Sequence, residues 1–312
     1  KFAPVYQQKI WGGRSLERLF QRQLPPGRIG ESWEISVHRS GLSIVAEPEE
    51  LAGVTLEELC RKYPHRVIGD SKRVFPLLVK LIDAQDTLSV QVHPDDHYAK
   101  RHGASEAGKN EMWYVLAAEP GAKLIYGIKP GITRDKFLEA IESGCVAECL
   151  NEVAVQPGDC FYVPAGVVHA LGAGILVLEI QQSSDAVYRI FDWNRVDDQG
   201  KPRPLHVHQA LEVINFDLRF EKKNRNPTAD KEVLVECPFF TVTKHRLRAG
   251  VGFTIDRTSF KIITSISHPL SIESRRYSLI LEPGSSCLIP ACCHEWQVVA
   301  SSDSAEMLCS YV

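Results

Sequence analysis

The chain has 312 residues, 44% hydrophobic and 24% charged, which supplies enough apolar material for one large domain or two ordinary ones. With 36 Lys and Arg against 39 Asp and Glu the net charge is −3, so there is no basic excess to neutralise a nucleic-acid backbone or grip an anionic membrane. The longest apolar stretches, such as 174–180, fall far short of the ~20 residues a spanning helix needs. No signal peptide is visible ahead of the Pro-interrupted opening. Nine Cys form an odd set without a regular framework, which points to free, mostly buried thiols and a cytoplasmic setting.

In chain order, Thr55 and Glu58 form a capping box ahead of an amphipathic run to about Tyr63. Short β-rich runs follow at 74–82 and 87–92, and Asp95 caps a helix through Lys100. Two more runs, 112–116 and 123–126, precede a helix over 133–143 that Gly144 stops. Runs at 160–163 and 175–180 lead to a third helix over 204–214, and the rest is short strands at 239–245, 260–266, 278–281 and 286–289. Many short strands with turns between them predict a sandwich or barrel, and the lack of strand–helix alternation excludes a doubly wound sheet.

One unit recurs. Pro157-Gly158-x5-Pro164-Ala165-Gly166-x2-His169 returns as Pro283-Gly284-x5-Pro290-Ala291-x2-His294, one residue shorter before the His. A turn, a strand, a second turn and a His used twice imply a duplicated architecture. The charged stretch 221–226, closed by Pro227, is the expected boundary between a unit 1–226 and a unit 227–312.

Residues 87–93 read Thr-Leu-Ser-Val-Gln-Val-His. Alternation puts Leu88, Val90 and Val92 on one face and Ser89, Gln91 and His93 on the other. A strand with a polar inward face is costly unless that face binds something. Glu111 opens the next run and His169 ends the first repeat, so two imidazoles, a carboxylate and an amide oxygen are available, a donor set that suits Zn²⁺ or a similar divalent ion. A rival set, His206, His208 and Glu212, reads better as one helix, with His208 and Glu212 on one face and His206 off it. Its plainer reading is a surface helix joining the two units. Trp11 and Trp113 lead the aromatics that could line the pocket, although aromatics in a β-barrel are more often core, and Ser89 shares the face of Gln91 and His93.

The stretch Gly158-x5-Pro164-x-Gly166-x2-His169 resembles the second motif of the cupin family, whose members fold as double-sheet jelly rolls. The expected fold is therefore mainly β: two cupin-type jelly-roll β-barrels with a few helical insertions, the second barrel degenerate. Trp11-Gly-Gly13, Gly30-Glu-Ser-Trp-Glu-Ile-Ser36, Phe75-Pro-Leu-Leu-Val-Lys80 and Leu88-Ser-Val-Gln-Val-His-Pro94 narrow the likeness further. Lys109-Asn-Glu-Met-Trp-Tyr114, Pro164-Ala-Gly-Val-Val-His-Ala170 and Ser184-Asp-Ala-Val-Tyr-Arg189 continue it. Together they resemble the type I mannose-6-phosphate isomerases of the short bacterial form, over nearly all of the first 215 residues.

The resemblance implies one Zn²⁺ per chain on Gln91, His93, Glu111 and His169, with Lys109, Glu179 and Arg189 as catalytic residues. Arg195 stands where some relatives carry a second basic residue, and Asn110 departs from the usual Thr or Pro. The implied reaction interconverts mannose 6-phosphate and fructose 6-phosphate through a cis-enediol. Glu179, His93 and Lys109 are open as the base, although a metal-bound His93 would be a poor one. Arg189, with Arg195, would hold the phosphate. No glycine-rich nucleotide loop follows a strand, which suits a redox-neutral reaction on a small sugar phosphate by a monomer or weak homodimer. Two alternatives stand beside it: a cupin non-haem iron oxygenase using His93, Glu111 and His169, and a non-catalytic sugar-phosphate-binding cupin.

Overall fold

Nearly continuous apolar runs bounded by turn residues form strands that are covered on both faces. The computed structural model describes residues 1–69, 74–196, 199–218, 228–254, 259–275 and 277–312; the boundary expected at 221–227 lies outside them. The largest sheet has six strands in the spatial order Cys160–Val163, Glu111–Ala118, Ile175–Gln182, Leu77–Ala84, Val5–Gly13 and Ile29–Ile35. A five-stranded sheet faces it, ordered Tyr188–Phe191, Val90–Val92, His169–Ala170, Lys123–Ile128 and Leu150–Ala154. Between them Ile82, Trp113, Val115 and Val177 meet Leu124, Tyr126 and Leu171 in one apolar cluster.

Residues 228–312 build a second sheet pair. Its five-stranded sheet runs Lys231–Glu236, Thr241–Leu247, Ala305–Tyr311, Lys261–Ser265 and Ser286–Ile289. The partner sheet runs Gly252–Phe253, Trp296–Ala300, Leu270–Ser274 and Ser278–Leu281. The chain is thus mainly β with helical insertions, as expected, and its units are pairs of facing sheets rather than closed barrels. Leu77, Val79, Leu81, Leu178 and Ile180, on the outer face of the six-stranded sheet, pack against Val242, Ile262 and Leu308. Covering that face explains why all eight residues of Leu77–Ala84 are buried.

The repeat is structural. Pro157-Gly158 and Pro283-Gly284 are turns with glycine φ of 91° and 73°, a region L side chains avoid. They lead into Cys160–Val163 and Ser286–Ile289, each the edge strand of the larger sheet in its unit. The histidines then diverge, since His169 is buried and His294 exposed.

Three helices start where capping residues stand. Thr55 accepts from the amide of Glu58 at 3.1 Å, Asp95 from that of Tyr98 at 2.6 Å, and Thr133 from that of Lys136 at 3.4 Å. Loss of such a cap costs about 1 kcal/mol. The helix expected over 204–214 is shorter, Val207–Val213. It does not bridge the two units: Ala210 and Leu211 pack with Val90, Val92, Ala170 and Ile190 on the outer face of the first five-stranded sheet. All nine cysteines are free, but only Cys60, Cys149, Cys287 and Cys309 are buried, fewer than the sequence led one to expect. Among the described residues no helix is long and apolar enough to cross a membrane.

His245, buried in the second unit, has its Nε2 2.8 Å from Thr243 Oγ1. Burial, with Lys231 adding repulsion, lowers its pKa from 6.5 to about 4. Between those two values the unfolded chain binds the proton and the folded chain does not, so the stability this histidine permits above pH 6.5 is lost as pH falls toward 4. Thermal melts across that window should show a declining Tm, and His245→Gln should flatten the decline. A slope unaffected by the substitution removes His245 from the acid sensitivity.

Candidate metal centre

Strand register brings the polar residues into two facing rows. In the five-stranded sheet Gln91 lies directly across from Arg189 on one side and His169 on the other. In the six-stranded sheet Glu179 lies across from Trp113 and Lys80, and Lys80 from Trp33. Opposed residues on neighbouring strands share a face. Val90 and Val92 turn outward beneath the helices, which leaves Gln91 inward as expected; the strand covers only Val90–Val92, and Leu88, expected on the face of the two valines, packs instead in the cluster between the sheets.

The rows converge on His93, Glu111 and His169, all buried, with ligand atoms within 4.8 Å of one another. His169 Nε2 is 3.3 Å from Glu111 Oε1, and His93 Nε2 is 3.5 Å from Glu111 Oε2. His169 Nδ1 lies 2.8 Å from the carbonyl of Val167. Donation there fixes the tautomer and leaves the Nε2 lone pair facing the cluster. The side-chain nitrogen of Gln91 lies 3.3 Å from His169 Nε2, which brings this amide, whose oxygen is the atom able to ligate, beside the cluster.

Burial is the largest influence on both imidazoles. It pushes the pKa of His169 down to about 3 and lowers that of His93, where Lys109 adds repulsion. Both are therefore neutral lone-pair donors. Burial alone would raise the pKa of Glu111, but the Lys109 ammonium beside it holds it well below the usual carboxylate range. Glu111 Oε2 is met by the Lys109 ammonium, whereas Glu111 Oε1 and both ring nitrogens of His93 are buried without a hydrogen bond. An unmet polar atom costs about 1–3 kcal/mol, so the free Glu111 oxygen and the imidazole lone pairs beside it form a cradle for a cation. Two imidazoles, a carboxylate and an amide suit zinc in charge, softness and number.

The remaining predicted residues take varied positions. Lys109 Nζ is 2.7 Å from Glu111 and 3.8 Å from Glu179. Glu179 receives the indole N–H of Trp113 on Oε2 at 2.8 Å, while Oε1 has no hydrogen bond. Burial, reinforced by Glu111, raises the pKa of Glu179 to about 7. Arg189 donates from Nε to Ser89 Oγ at 3.2 Å and from Nη1 to the carbonyl of Pro204 at 2.8 Å. Arg195 is engaged by Asp192, its Nη2 donating to Oδ1 at 2.7 Å. Trp11, only 4% exposed, belongs to the apolar cluster between the sheets. Asn110 turns to Gln182, Tyr162 and the amide of Ala165, so its departure from the family pattern leaves the cluster untouched.

The rival set is not a centre. His208 is 85% exposed in its side chain and pairs with Glu212 at 3.6 Å. His206 instead braces Arg189, donating its amide to the Arg189 carbonyl at 2.7 Å and accepting the Arg189 amide on Nδ1 at 3.2 Å. The variant His206→Ala/His208→Ala should bind as much metal as the parent when measured by elemental analysis. A fall in metal content would contradict this account of the helix.

Sequence reasoning missed Lys80. Its Nζ lies 3.6 Å from Glu179, 3.8 Å from Glu31 and 3.7 Å from Asp185, and 4.8 Å above the Trp33 ring. Glu31 accepts the Trp33 indole N–H at 2.7 Å, and despite its burial Lys80 and Lys9 hold its pKa at about 2. The available signal was a lysine inside an apolar run, since a buried charge requires partners.

Comparison with known proteins agrees with this geometry. Residues 1–117 match the family described as phosphomannose isomerase type I, catalytic domain. A mannose-6-phosphate isomerase of Streptococcus mutans is 38% identical over 300 residues, covering 93% of this chain and 92% of its own length. The crystal structure of the Bacillus subtilis mannose 6-phosphate isomerase superposes with a TM-score of 0.90 at 32% identity, covering 100% of this chain and 98% of that one. A mannose 6-phosphate isomerase bound with zinc and yttrium shares the fold, with a TM-score of 0.78 at 16% identity over 100% of this chain and 98% of that one. The chain belongs to the type I phosphomannose isomerase family.

Proposed function

We propose that the chain is a mannose-6-phosphate isomerase that holds one zinc ion on Gln91, His93, Glu111 and His169 and works through a cis-enediol. The observation that carries this reading is the buried His93–Glu111–His169 cluster, whose orphaned acceptor atoms are turned toward one another. Zinc bound there would act as a Lewis acid on the sugar oxygens. The proximity of the Gln91 amide to His169 favours four donors over the two-His, one-carboxylate set of an iron oxygenase.

Glu179 is the base in this scheme. Its Oε1 is free of hydrogen bonds and its Oε2 is anchored on Trp113. It takes the proton from carbon 2 of the open-chain aldose, and the bonding pair becomes the carbon 1–carbon 2 double bond while the carbonyl oxygen gains a proton. Return of a proton to carbon 1, with loss of the carbon 2 hydroxyl proton, yields the ketose. Lys109, held protonated beside Glu111 despite its burial, and Lys80 offset the negative charge that builds up during transfer. Arg189 binds the phosphate, Ser89 orients it, and Trp11 and Arg195 complete the substrate side.

The same reading assigns residues 1–226 to catalysis and 227–312 to covering the outer face of the six-stranded sheet, in a cytoplasmic monomer or weak homodimer. Metal analysis of purified protein alongside a coupled assay for fructose 6-phosphate tests it. One zinc per chain and turnover are expected; zinc-free protein with full turnover, or zinc without turnover, would overturn it.

A further inference from the structure

Downstream of Arg189 the chain makes a tight excursion. The amide of Arg195 donates to the carbonyl of Asp192 at 3.0 Å, and both residues between them, Trp193 and Asn194, have positive φ, 57° and 53°. Two consecutive left-handed non-glycine residues are costly and persist only where surrounding contacts hold them. Here the Trp193 indole N–H is pinned on the carbonyl of Leu88 at 2.8 Å. The chain then returns through an antiparallel bridge between Val196 and Pro202, which brings Arg203 and Pro204 back to Arg189.

This turn gathers two guanidiniums on one buried carboxylate and brings a third, that of Arg189, near them. Asp192, 5% exposed, accepts Arg195 Nη2 on Oδ1 at 2.7 Å, Arg203 Nη2 on the same oxygen at 2.5 Å, and Arg203 Nε on Oδ2 at 2.7 Å. Arg195 also reaches Asp86 at 3.5 Å, but that carboxylate is 57% exposed and its field is screened by water. Arg189 has no carboxylate within ion-pair distance among the described residues, and its two donations go to a neutral hydroxyl and a carbonyl. Burial and the neighbouring Arg203 charge depress the pKa of Arg189, and Asp192 offsets only part of that. A half-buried cation beside like charges is unfavourable until an anion arrives.

We infer that Arg203, through its two-point grip on Asp192, is a specificity-determining residue for the substrate's phosphate, completing with Arg195 and Arg189 a positive site matched to a dianion. This rests on the function proposed above. A phosphate monoester carries a charge of about −1.5 to −2 at neutral pH, close to the positive excess of three guanidiniums over one buried carboxylate. Asp192 holds Arg195 and Arg203 together when the substrate is absent, and the carbonyl of Pro204, next to Arg203 in the chain, orients the Arg189 fork.

The test is steady-state kinetics of Arg203→Gln and Arg203→Lys, with inorganic phosphate as a competitive probe. Arg203→Gln should raise KM for mannose 6-phosphate and the inhibition constant of phosphate together, by roughly 10–100-fold. Its kcat should stay within about threefold of the parent and its zinc content should be unchanged. Arg203→Lys, which keeps the charge but loses the fork, should recover part of the loss and serves alone if the glutamine variant does not fold. Parental KM and phosphate affinity in either folded variant would overturn the assignment of Arg203, as would a fall in kcat with KM unmoved. Absence of turnover in the parent protein would instead overturn the isomerase reading, so the two failures are distinct.

Discussion

His169→Ala should lose metal and turnover together. The imidazole it removes is fixed by Val167 and faces Glu111 and Gln91, so its deletion leaves one histidine, one carboxylate and one amide. Loss of an outer partner of a metal ligand typically costs 10–100-fold in affinity or activity, and loss of the ligand itself should exceed that. Elemental analysis after dialysis and the coupled assay give the two readouts. Metal retained at the parent's level with turnover abolished would remove His169 from the ligand set while leaving it in the mechanism.

Glu179→Gln should separate what His169→Ala joins. The amide is nearly isosteric, can still meet the Trp113 indole N–H, and lies outside the His93–Glu111–His169 cluster proposed to hold the ion. Metal content should therefore stay at the parent's level while kcat falls by about 10²–10⁴-fold, the usual contribution of a positioned general base. Deuterium uptake from solvent at carbon 2 should fall in parallel, because the step lost is carbon–hydrogen cleavage. Near-normal kcat would remove Glu179 from proton transfer.

These expectations depend on features of unequal visibility in the sequence. Alternation over Val90–Val92 was legible because one face of that strand packs under helices and the other lines the site, which imposes a period of two; it failed at Leu88, which precedes the strand and packs between the sheets. Thr55, Asp95 and Thr133 announced their helices because a side-chain cap is a local interaction. The short helix Ser15–Phe20 has no side-chain cap bond at its start and gave no comparable signal.

Ile29–Ile35 was invisible for the opposite reason. All seven residues are buried, yet Glu31 and Glu34 break the apolar run. Their charges are met by Lys80, Lys9 and Arg22, residues remote in sequence. Ala305–Tyr311, central in the second unit's five-stranded sheet, carries Glu306, which is paired with Lys244 on the neighbouring strand. In each case the compensating partner becomes visible only once the strand order is known. The site divides in the same way: His93, Glu111 and His169 were legible as residue types, whereas Lys80 and Arg203 acquire meaning only from the residues placed across from or folded back against them.

The most direct test of the central claim is anomalous diffraction at the zinc absorption edge from a crystal grown with that ion. The account predicts one peak per chain within bonding distance, about 2.0–2.2 Å, of donor atoms from His93, Glu111 and His169, with the Gln91 amide oxygen as the fourth ligand. A peak elsewhere on the chain, or those four side chains turned into separate cavities with the ion absent from their midst, would contradict it.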